Sequence, residues 1–259
     1  MKKFKTALVQ MDIECGKVDT NLKNASELIE TAVEEGSELI CLPEYFPMGP
    51  AGDELGELAE QIPGRITEIM GEIAEEHGVY IVFSMAERSD GSIYNTAVLI
   101  GPEGKIIGKH RKMHRFLDEK DVITPGDGYT VVDTELGKLG LMVCYDAVFP
   151  EVARNLALLD AEVILMPSNW PDPFKPQWDL ATSARAFDNQ LWVIAANMVG
   201  ATENHTYFGG SRIVDPTGKA VVDGDDEEKV IVGTVDLSVI EEFKGIINFL
   251  EDRKDDYTG

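Results

Sequence analysis

Residues 139–151 read Leu-Gly-Leu-Met-Val-Cys-Tyr-Asp-Ala-Val-Phe-Pro-Glu, and this stretch carries most of the information about the fold. The apolar run Leu139–Val143 predicts a buried strand, and the proline that follows is typical of the first turn of a helix, which we expect over Phe149–Leu159. Cys144 would then lie at a strand-to-helix turn, where helix dipoles favour a thiolate. From position alone, Cys144 is either such a nucleophile or a small buried apolar side chain.

The same order of strand and helix extends in both directions from this stretch. Predicted strands are Thr6–Met11, Glu38–Leu42, Tyr80–Met85, Val163–Met166 and Trp192–Ala196. Predicted helices are one capped by Asp19 and ended by Gly36, one over Ile66–Ala74 that stops at Gly78, and one over Trp178–Asn189. A C-terminal helix is predicted over Phe243–Leu250, and the polar stretch His110–Gly128 predicts a long irregular segment with a functional role.

Two hairpins repeat one pattern. Residues 98–105 read Val-Leu-Ile-Gly-Pro-Glu-Gly-Lys, and residues 212–219 read Arg-Ile-Val-Asp-Pro-Thr-Gly-Lys. Each half of the chain therefore has the order strand, helix, strand, helix, strand, hairpin. This order predicts an α/β protein of two similar half-domains whose sheets pack on each other, with helices outside, as a four-layer αββα sandwich. Since no linker separates the halves, we expect residues 1–259 to form a single domain.

Composition excludes several classes of protein. Of 259 residues, 44% are hydrophobic, and 23 Lys and Arg against 47 Asp and Glu give a net charge of −24. The apolar content excludes wholesale disorder, and the negative charge disfavours nucleic-acid binding. We expect no membrane span and no signal peptide, because no apolar run reaches about 18 residues and the start lacks a cleavage site. Three cysteines without metal-type spacing favour a reducing cytoplasmic location.

Two further positions could carry chemistry. Glu44 directly follows a predicted strand, so its carboxylate would lie at the same sheet edge as Cys144 if the strands are parallel; otherwise it is a solvated loop residue. Lys112 belongs to the basic cluster 109–115, which could equally be a charged loop. His110 and His114 have i, i+4 spacing, but the segment has no helical period and no third ligand, so we expect no metal there.

Taken together, these motifs resemble those of the nitrilase superfamily of carbon–nitrogen hydrolases. The resemblance rests on Leu42-Pro43-Glu44, on Arg111-Lys112-Met113-His114 and on Val143-Cys144-Tyr145-Asp146 with Phe149-Pro150-Glu151. It implies the αββα sandwich, a homodimer or higher homo-oligomer, and no cofactor. By match to the family motifs, Glu44 is the general base, Lys112 the cation that faces the oxyanion, Cys144 the nucleophile and Glu119 a second glutamate beside the pocket. The resemblance also implies that the backbone N–H of Tyr145 stabilises the oxyanion.

The form of the cysteine motif indicates the amidase-like branches of that superfamily. The resemblance therefore implies hydrolysis of a small non-peptide linear amide to an acid and ammonia through a thioester. The alternatives are an N-carbamoyl amine or amino-acid hydrolase, which also releases carbon dioxide, a nitrilase, and a non-catalytic binding protein on the same fold. Ala147-Val148 stands where many relatives have Leu-Arg or Met-Arg. In some branches that arginine binds a carboxylate of the substrate, and the resemblance does not imply this role for any residue of the present sequence. Asn169, Trp170 and Tyr207 are predicted to wall the substrate pocket.

Overall fold

The computed structural model describes residues 2–254, and in these residues two six-stranded sheets form the centre of the molecule. The first sheet contains β1 (Lys3–Gln10), β2 (Leu39–Cys41), β3 (Tyr80–Ser89), β4 (Ser92–Ile100), β5 (Ile106–Arg111) and β14 (Lys229–Asp236). The second contains β6 (Thr130–Thr134), β7 (Gly137–Leu141), β8 (Val163–Ser168), β9 (Trp192–Asn197), β12 (Arg212–Val214) and β13 (Ala220–Asp223). A separate two-stranded ribbon pairs β10 (Val199–Ala201) with β11 (Thr206–Phe208).

The two sheets have equivalent topology. In the first sheet the order is β14-β1-β2-β3-β4-β5, and in the second it is β13-β12-β9-β8-β7-β6. The three central strands of each sheet are parallel, an antiparallel hairpin continues one side, and one antiparallel strand closes the other. The predicted repetition of strand, helix and hairpin therefore corresponds to two matching sheets. The edge strands β6 and β14 are not among the predicted strands.

Helices cover the outer face of each sheet. The helices of the described residues are α1 (Val18–Glu34), α2 (Leu55–Leu58), α3 (Arg65–His77), α4 (Glu119–Val122), α5 (Pro150–Leu158), α6 (Lys175–Asn189), α7 (Ser238–Ile246) and α8 (Phe249–Asp252). Apolar faces of α1 and α3 pack on the first sheet, and those of α5 and α6 pack on the second. A third core lies between the sheets and includes Leu39, Val82, Leu165 and Ile194, all fully buried. This arrangement confirms the four-layer αββα sandwich.

Both long helices that follow central strands of the first sheet end where the sequence predicts, but one begins earlier. Gly78 adopts a left-handed conformation with φ of 64° directly after α3, as expected for a helix-ending glycine. The cap of α1 is Lys17, so the prediction of Asp19 as N-cap is wrong. Asp19 lies in the first turn instead, where its carboxylate pairs with Arg65 of α3.

The segment predicted as irregular from His110 is partly regular. Strand β5 continues through Arg111, because His110 pairs with Ala97 and Arg111 with Thr96 of β4. The polar side chains of these two residues do not prevent strand formation, since each binds a buried carboxylate on its own face of the sheet. A further short helix, α4, interrupts the segment.

The helix predicted over Phe243–Leu250 is also divided. Helix α7 ends at Ile246 and α8 begins at Phe249. Gln190 causes the interruption, because its side-chain amide donates to Ile247 O and accepts from Phe249 N, both at 2.8 Å. None of the helices in the described part of the chain combines the length and apolar character needed to cross a bilayer.

Candidate active site

The residues singled out from the sequence lie at the carboxyl ends of the parallel strands. Glu44 follows β2 of the first sheet and Cys144 follows β7 of the second, so each residue lies at the carboxyl end of a parallel strand in its own sheet. The two edges are joined directly, since the backbone N–H of Glu44 donates to Ser168 O at the end of β8, at 3.3 Å. Lys112 directly follows β5 and contributes its ammonium group to the same place.

A lysine held between two carboxylates forms the centre of the site. Lys112 Nζ lies 2.7 Å from Glu44 Oε1 and 2.7 Å from Glu119 Oε2. Lys112 is only 1% exposed and Glu44 only 2%. Burial alone would lower the pKa of Lys112, but the charges of Glu119 and Glu44 raise it well above its ordinary value. Lys112 is therefore a permanent cation at neutral pH.

Two residues that sequence reasoning missed hold the carboxylates in place. Asn95 on β4 donates from Nδ2 to Glu44 Oε1 at 2.7 Å and to Glu119 Oε1 at 3.1 Å. Tyr45 donates its hydroxyl to Glu119 Oε1 at 2.9 Å. A polar residue beside the apolar run of β4 is the only sequence signal that could have indicated Asn95. Its partners are 51 and 24 residues away, so no local pattern identifies them.

Cys144 begins a 3-10 turn over Cys144–Val148 and has a backbone φ of 45°. Such a conformation is unfavourable for an L-residue other than glycine and is concentrated at functional sites. Five other non-glycine residues of the described chain share it, at positions 45, 90, 117, 160 and 190, and two of them, Tyr45 with φ of 52° and Leu117 with φ of 42°, line the cavity that contains Cys144. The turn directs the thiol into the site, where the Glu44 carboxylate and the backbone N–H of Asn169 both influence its pKa.

The electrostatics of the site keep this thiol protonated. Burial, and then the charge of Glu44, raise the pKa of Cys144 well above its ordinary value, and Lys112 offsets only part of this. The expectation that the turn favours a thiolate is therefore wrong, because a thiolate would add a second uncompensated negative charge. Burial also raises the pKa of Glu44, helped by the charge of Glu119 and opposed by Lys112. For Glu119, burial is outweighed by Lys112 and by hydrogen bonds, which lower its pKa.

Asp146 is a further buried carboxylate that the sequence did not single out as a functional residue. It is fully buried and accepts hydrogen bonds from the backbone N–H groups of Met113 at 3.2 Å and His114 at 2.9 Å. Asp146 therefore ties the segment that follows Lys112 to the turn that carries Cys144.

The two histidines with i, i+4 spacing converge on this same carboxylate. His110 Nε2 lies 3.2 Å from Asp146 Oδ2 and His114 Nδ1 lies 2.9 Å from Oδ1. Burial alone would raise the pKa of Asp146, but the hydrogen bonds with both histidines lower it to about 2. Within residues 2–254, His, Cys, Asp and Glu form no group of three suited to a metal ion.

Two cavities meet at Cys144. The larger, of about 900 Å³, contains Glu44, Lys112, Asn169 and Tyr207. The smaller, of about 670 Å³, is more apolar and lies against the 3-10 turn and α6. Of the predicted pocket residues, Asn169 lines both cavities, Tyr207 lines the larger, and Tyr145 and Trp170 line the smaller.

An αββα sandwich that buries a thiol, a carboxylate and an ammonium group in one cluster has the groups that thiol-dependent hydrolysis requires. Comparison with known proteins agrees. The family model described as carbon-nitrogen hydrolase matches residues 5–245. A protein named nitrilase from Pyrococcus abyssi is 36% identical over 98% of both chains, and omega-amidase NIT2-A from Xenopus laevis is 34% identical over 99% of this chain and 97% of its own.

Solved structures show the same relationship. The crystal structure of Saccharomyces cerevisiae Nit3, a member of branch 10 of the nitrilase superfamily, superposes with a TM-score of 0.90. It is 30% identical in sequence and covers 95% of this chain and 94% of its own. The chain belongs to the carbon–nitrogen hydrolase family.

Proposed function

We propose that the protein is a cysteine-dependent amidase that hydrolyses a small, non-peptide linear amide to the carboxylic acid and ammonia. The observation that carries this proposal is the position of Glu44. One of its carboxylate oxygens accepts from Lys112 at 2.7 Å, and the carboxylate lies close enough to the thiol of Cys144 that its charge raises the pKa of that thiol. A relative named omega-amidase supports an amide substrate.

In the first step, Cys144 Sγ attacks the amide carbon and Glu44 takes the thiol proton. The high thiol pKa makes this transfer necessary, because no thiolate is present in advance. Lys112 has three N–H donors, of which Glu44 and Glu119 take two, so the third is available to the developing oxyanion. The backbone N–H of Tyr145 is the second oxyanion donor. One such donor contributes about 10²–10³ in rate.

Collapse of the tetrahedral intermediate breaks the carbon–nitrogen bond. Glu44 returns its proton to the leaving nitrogen, ammonia departs, and the acyl group remains on Cys144 as a thioester. Glu44 then removes a proton from water, which attacks the thioester carbon and releases the acid. The proton passes from Glu44 to sulfur, and the resting thiol is restored without any cofactor.

Glu119 acts through Lys112 in this scheme. Its carboxylate accepts a hydrogen bond from the Lys112 ammonium group. Asn95 donates to both Glu119 and Glu44, so it keeps the two carboxylates at a constant distance from each other. Because Glu119 raises the pKa of both Lys112 and Glu44, it keeps the lysine charged and makes the base stronger.

The test is product analysis with a cysteine variant. Ammonia, carbon dioxide and acid are measured with panels of linear amides, carbamoyl compounds and nitriles. We expect ammonia and acid from amides. Carbon dioxide from carbamoyl compounds alone would favour a carbamoyl hydrolase instead, and acid and ammonia from nitriles alone would favour a nitrilase. Cys144→Ala should abolish turnover with an unchanged circular dichroism spectrum, whereas Cys41→Ala, which alters a buried thiol between the sheets, should retain it. More than a tenth of wild-type activity in Cys144→Ala would contradict the proposal.

We also propose a homodimer or higher homo-oligomer in the cytoplasm. Large apolar side chains on and near α6 support the assembly, since Leu180 is 70% exposed and Phe187 45% exposed. Three unpaired cysteines support the location. In sedimentation experiments the wild type should have the mass of an oligomer, and Leu180→Glu should have a lower mass. A monomeric wild type would contradict the proposed assembly.

A further inference from the structure

We infer that Asn95 is a positioning residue of the reaction: together with Lys112 it occupies one oxygen of the Glu44 carboxylate, so that the other oxygen takes the thiol proton. The inference rests on the proposed function, in which Glu44 is the base. Asn95 lies on β4 and is fully buried. Three features support its role: the hydrogen bonds of the two carboxylates, the backbone bond between Asn95 and Lys112, and the unpaired oxygen of the Asn95 side chain.

The two oxygens of Glu44 have different surroundings. Oε1 accepts from Lys112 Nζ and from Asn95 Nδ2, both at 2.7 Å. A carboxylate oxygen has two lone pairs, so these two donors saturate Oε1. Within residues 2–254, no nitrogen or oxygen donates a hydrogen bond to Oε2. Of the two oxygens, Oε2 is therefore the one with lone pairs available for the proton of Cys144.

The carboxylate of Glu119 is already saturated with donors. Its Oε1 accepts from the Tyr45 hydroxyl at 2.9 Å and from Asn95 Nδ2 at 3.1 Å. Its Oε2 accepts from Lys112 Nζ and from the backbone N–H of Phe116, both at 2.7 Å. These four donors occupy all four lone-pair sites, so Glu119 cannot take a proton without losing one of them. The number of donors, and not the type of side chain, distinguishes this carboxylate from the base.

Asn95 is held so that its NH₂ group faces the carboxylates. Its backbone carbonyl accepts from the backbone N–H of Lys112 at 2.7 Å, which fixes β4 beside the lysine. Reversal of the side-chain amide would place Oδ1 against oxygens of Glu44 and Glu119, which are all acceptors. Asn95 therefore holds the lysine through its main chain and both acids through its side chain.

The other end of the Asn95 amide lowers stability. Asn95 is fully buried, and its Oδ1 has no hydrogen-bond partner among the described residues. A buried unpaired acceptor is destabilising, and its presence in a native protein calls for an explanation. An apolar residue of the same shape would avoid this cost. The NH₂ group, and not packing, therefore explains why an asparagine is useful here.

Several elements of the chain place ionisable groups around Glu44. These groups belong to Lys112, Glu119, Cys144, Tyr45 and Tyr207. At neutral pH Lys112 is charged and Glu119 is ionised, while raised pKa values keep the thiol and both phenols neutral. Removal of the Asn95 side chain leaves these charges unchanged but deprives the ionised form of Glu44 of a hydrogen bond. The pKa of Glu44 should therefore rise.

Asn95→Leu tests this role, because leucine has nearly the same shape but no donor. The acid limb of kcat/KM should move up by about 1 pH unit, since a hydrogen bond to a charged group is lost. At the pH optimum kcat should fall about tenfold while KM changes by less than about twofold, because the base is displaced and substrate binding is not. Asn95→Ala, which fits within the volume of the native side chain, should move the limb in the same direction.

Thr96→Val is the matched control. Thr96 is the next residue of β4, is also fully buried, and donates its hydroxyl to the buried carboxylate of Glu87 at 2.6 Å. Thr96→Val thus removes a buried hydrogen bond to a carboxylate outside the site. In urea unfolding it should lose at least as much stability as Asn95→Leu, whereas its acid limb and its kcat should match those of the wild type.

Alkylation of Cys144 by iodoacetamide measures the same base without amide hydrolysis. Because the thiol is protonated in the resting protein, its alkylation rate depends on transfer of the proton to Glu44. Peptide mass spectrometry separates Cys144 from Cys15 and Cys41. The acid limb of the alkylation rate should move up in Asn95→Leu by the same amount as that of kcat/KM.

The outcomes separate this inference from the proposed function. If the limb stays in place or moves down in both Asn95 variants, or if Thr96→Val moves it equally, then Asn95 does not position the base and the amidase assignment stands. If no amide is hydrolysed but the alkylation limb moves up as expected, then the amidase assignment fails and the action of Asn95 on Glu44 is supported.

Discussion

Asp146→Asn offers a direct test of how the two halves of the site are joined. The carboxylate is fully buried, and its pKa falls from 3.8 to about 2 in the folded protein because hydrogen bonds with His110 and His114 outweigh burial. At about 1.4 kcal/mol per pKa unit, the ionised form contributes about 2 kcal/mol to the free energy of unfolding. The asparagine NH₂ group also replaces an acceptor that faces backbone N–H groups, which costs about 1 kcal/mol more.

The expected result is a loss of about 3 kcal/mol at pH 7, which corresponds to a Tm roughly 6–10 °C lower. The sign of the pH dependence follows from the depressed pKa: the contribution of Asp146 is complete above pH 4 and is lost as pH falls towards 2. The gap between wild type and variant should therefore narrow on acidification. Urea unfolding at pH 7 and at pH 3 measures both quantities.

A matched control is Asp160→Asn, because Asp160 pairs with Lys138 at 3.0 Å but is 77% exposed. We expect it to lose less than about 1 kcal/mol, with no comparable pH dependence. In Asp146→Asn we also expect kcat to fall by a larger factor than KM rises. The reason is that Asp146 connects the segment after Lys112 to the turn that carries Cys144, so its loss changes the relative positions of these two residues. If Asp146→Asn is as stable as Asp160→Asn, and if its difference from wild type in free energy of unfolding does not change with pH, then Asp146 does not stabilise the fold in this way.

Three other outcomes follow from the structure. Glu119→Gln should lower kcat about 10–100-fold at pH 7 with the fold retained, because it removes one of the two carboxylates that bind Lys112. Steady-state kinetics measures this change. An unchanged kcat would show that Glu119 does not support the catalytic function of Lys112. The pH profile of kcat/KM should show an acid limb above the ordinary glutamate pKa, since Glu44 must be ionised to accept the thiol proton. In Glu119→Gln this limb should move to lower pH, because the charge of Glu119 raises the pKa of Glu44. A limb at the same pH in both proteins would contradict this assignment. Leu165→Ala should lower the free energy of unfolding by about 2–5 kcal/mol in chemical denaturation, because Leu165 is fully buried between the sheets; a loss under 1 kcal/mol would argue against close packing there.

Much of the architecture could be predicted from local patterns. Central strands such as β8 are covered on both faces, so their sequences are continuously apolar and easily recognised. The edge strands β6 and β14 were missed because most of their residues are partly exposed, so their sequences lack a continuous apolar run. The partner of β14, β1, also lies at the other end of the chain. The division between α7 and α8 was also missed, because its cause is the distant side chain of Gln190.

For the site, local sequence patterns were enough to predict which reactive side chains directly follow strands. Glu44 and Cys144 each follow an apolar run, and parallel strands bring such positions to one sheet edge. How these groups interact depends on the folded arrangement of the whole chain. The bridging role of Asn95, the junction at Asp146 and the protonated state of Cys144 depend on distances between residues far apart in the chain. Burial and Coulomb interactions act through space, so no local pattern of residues encodes them.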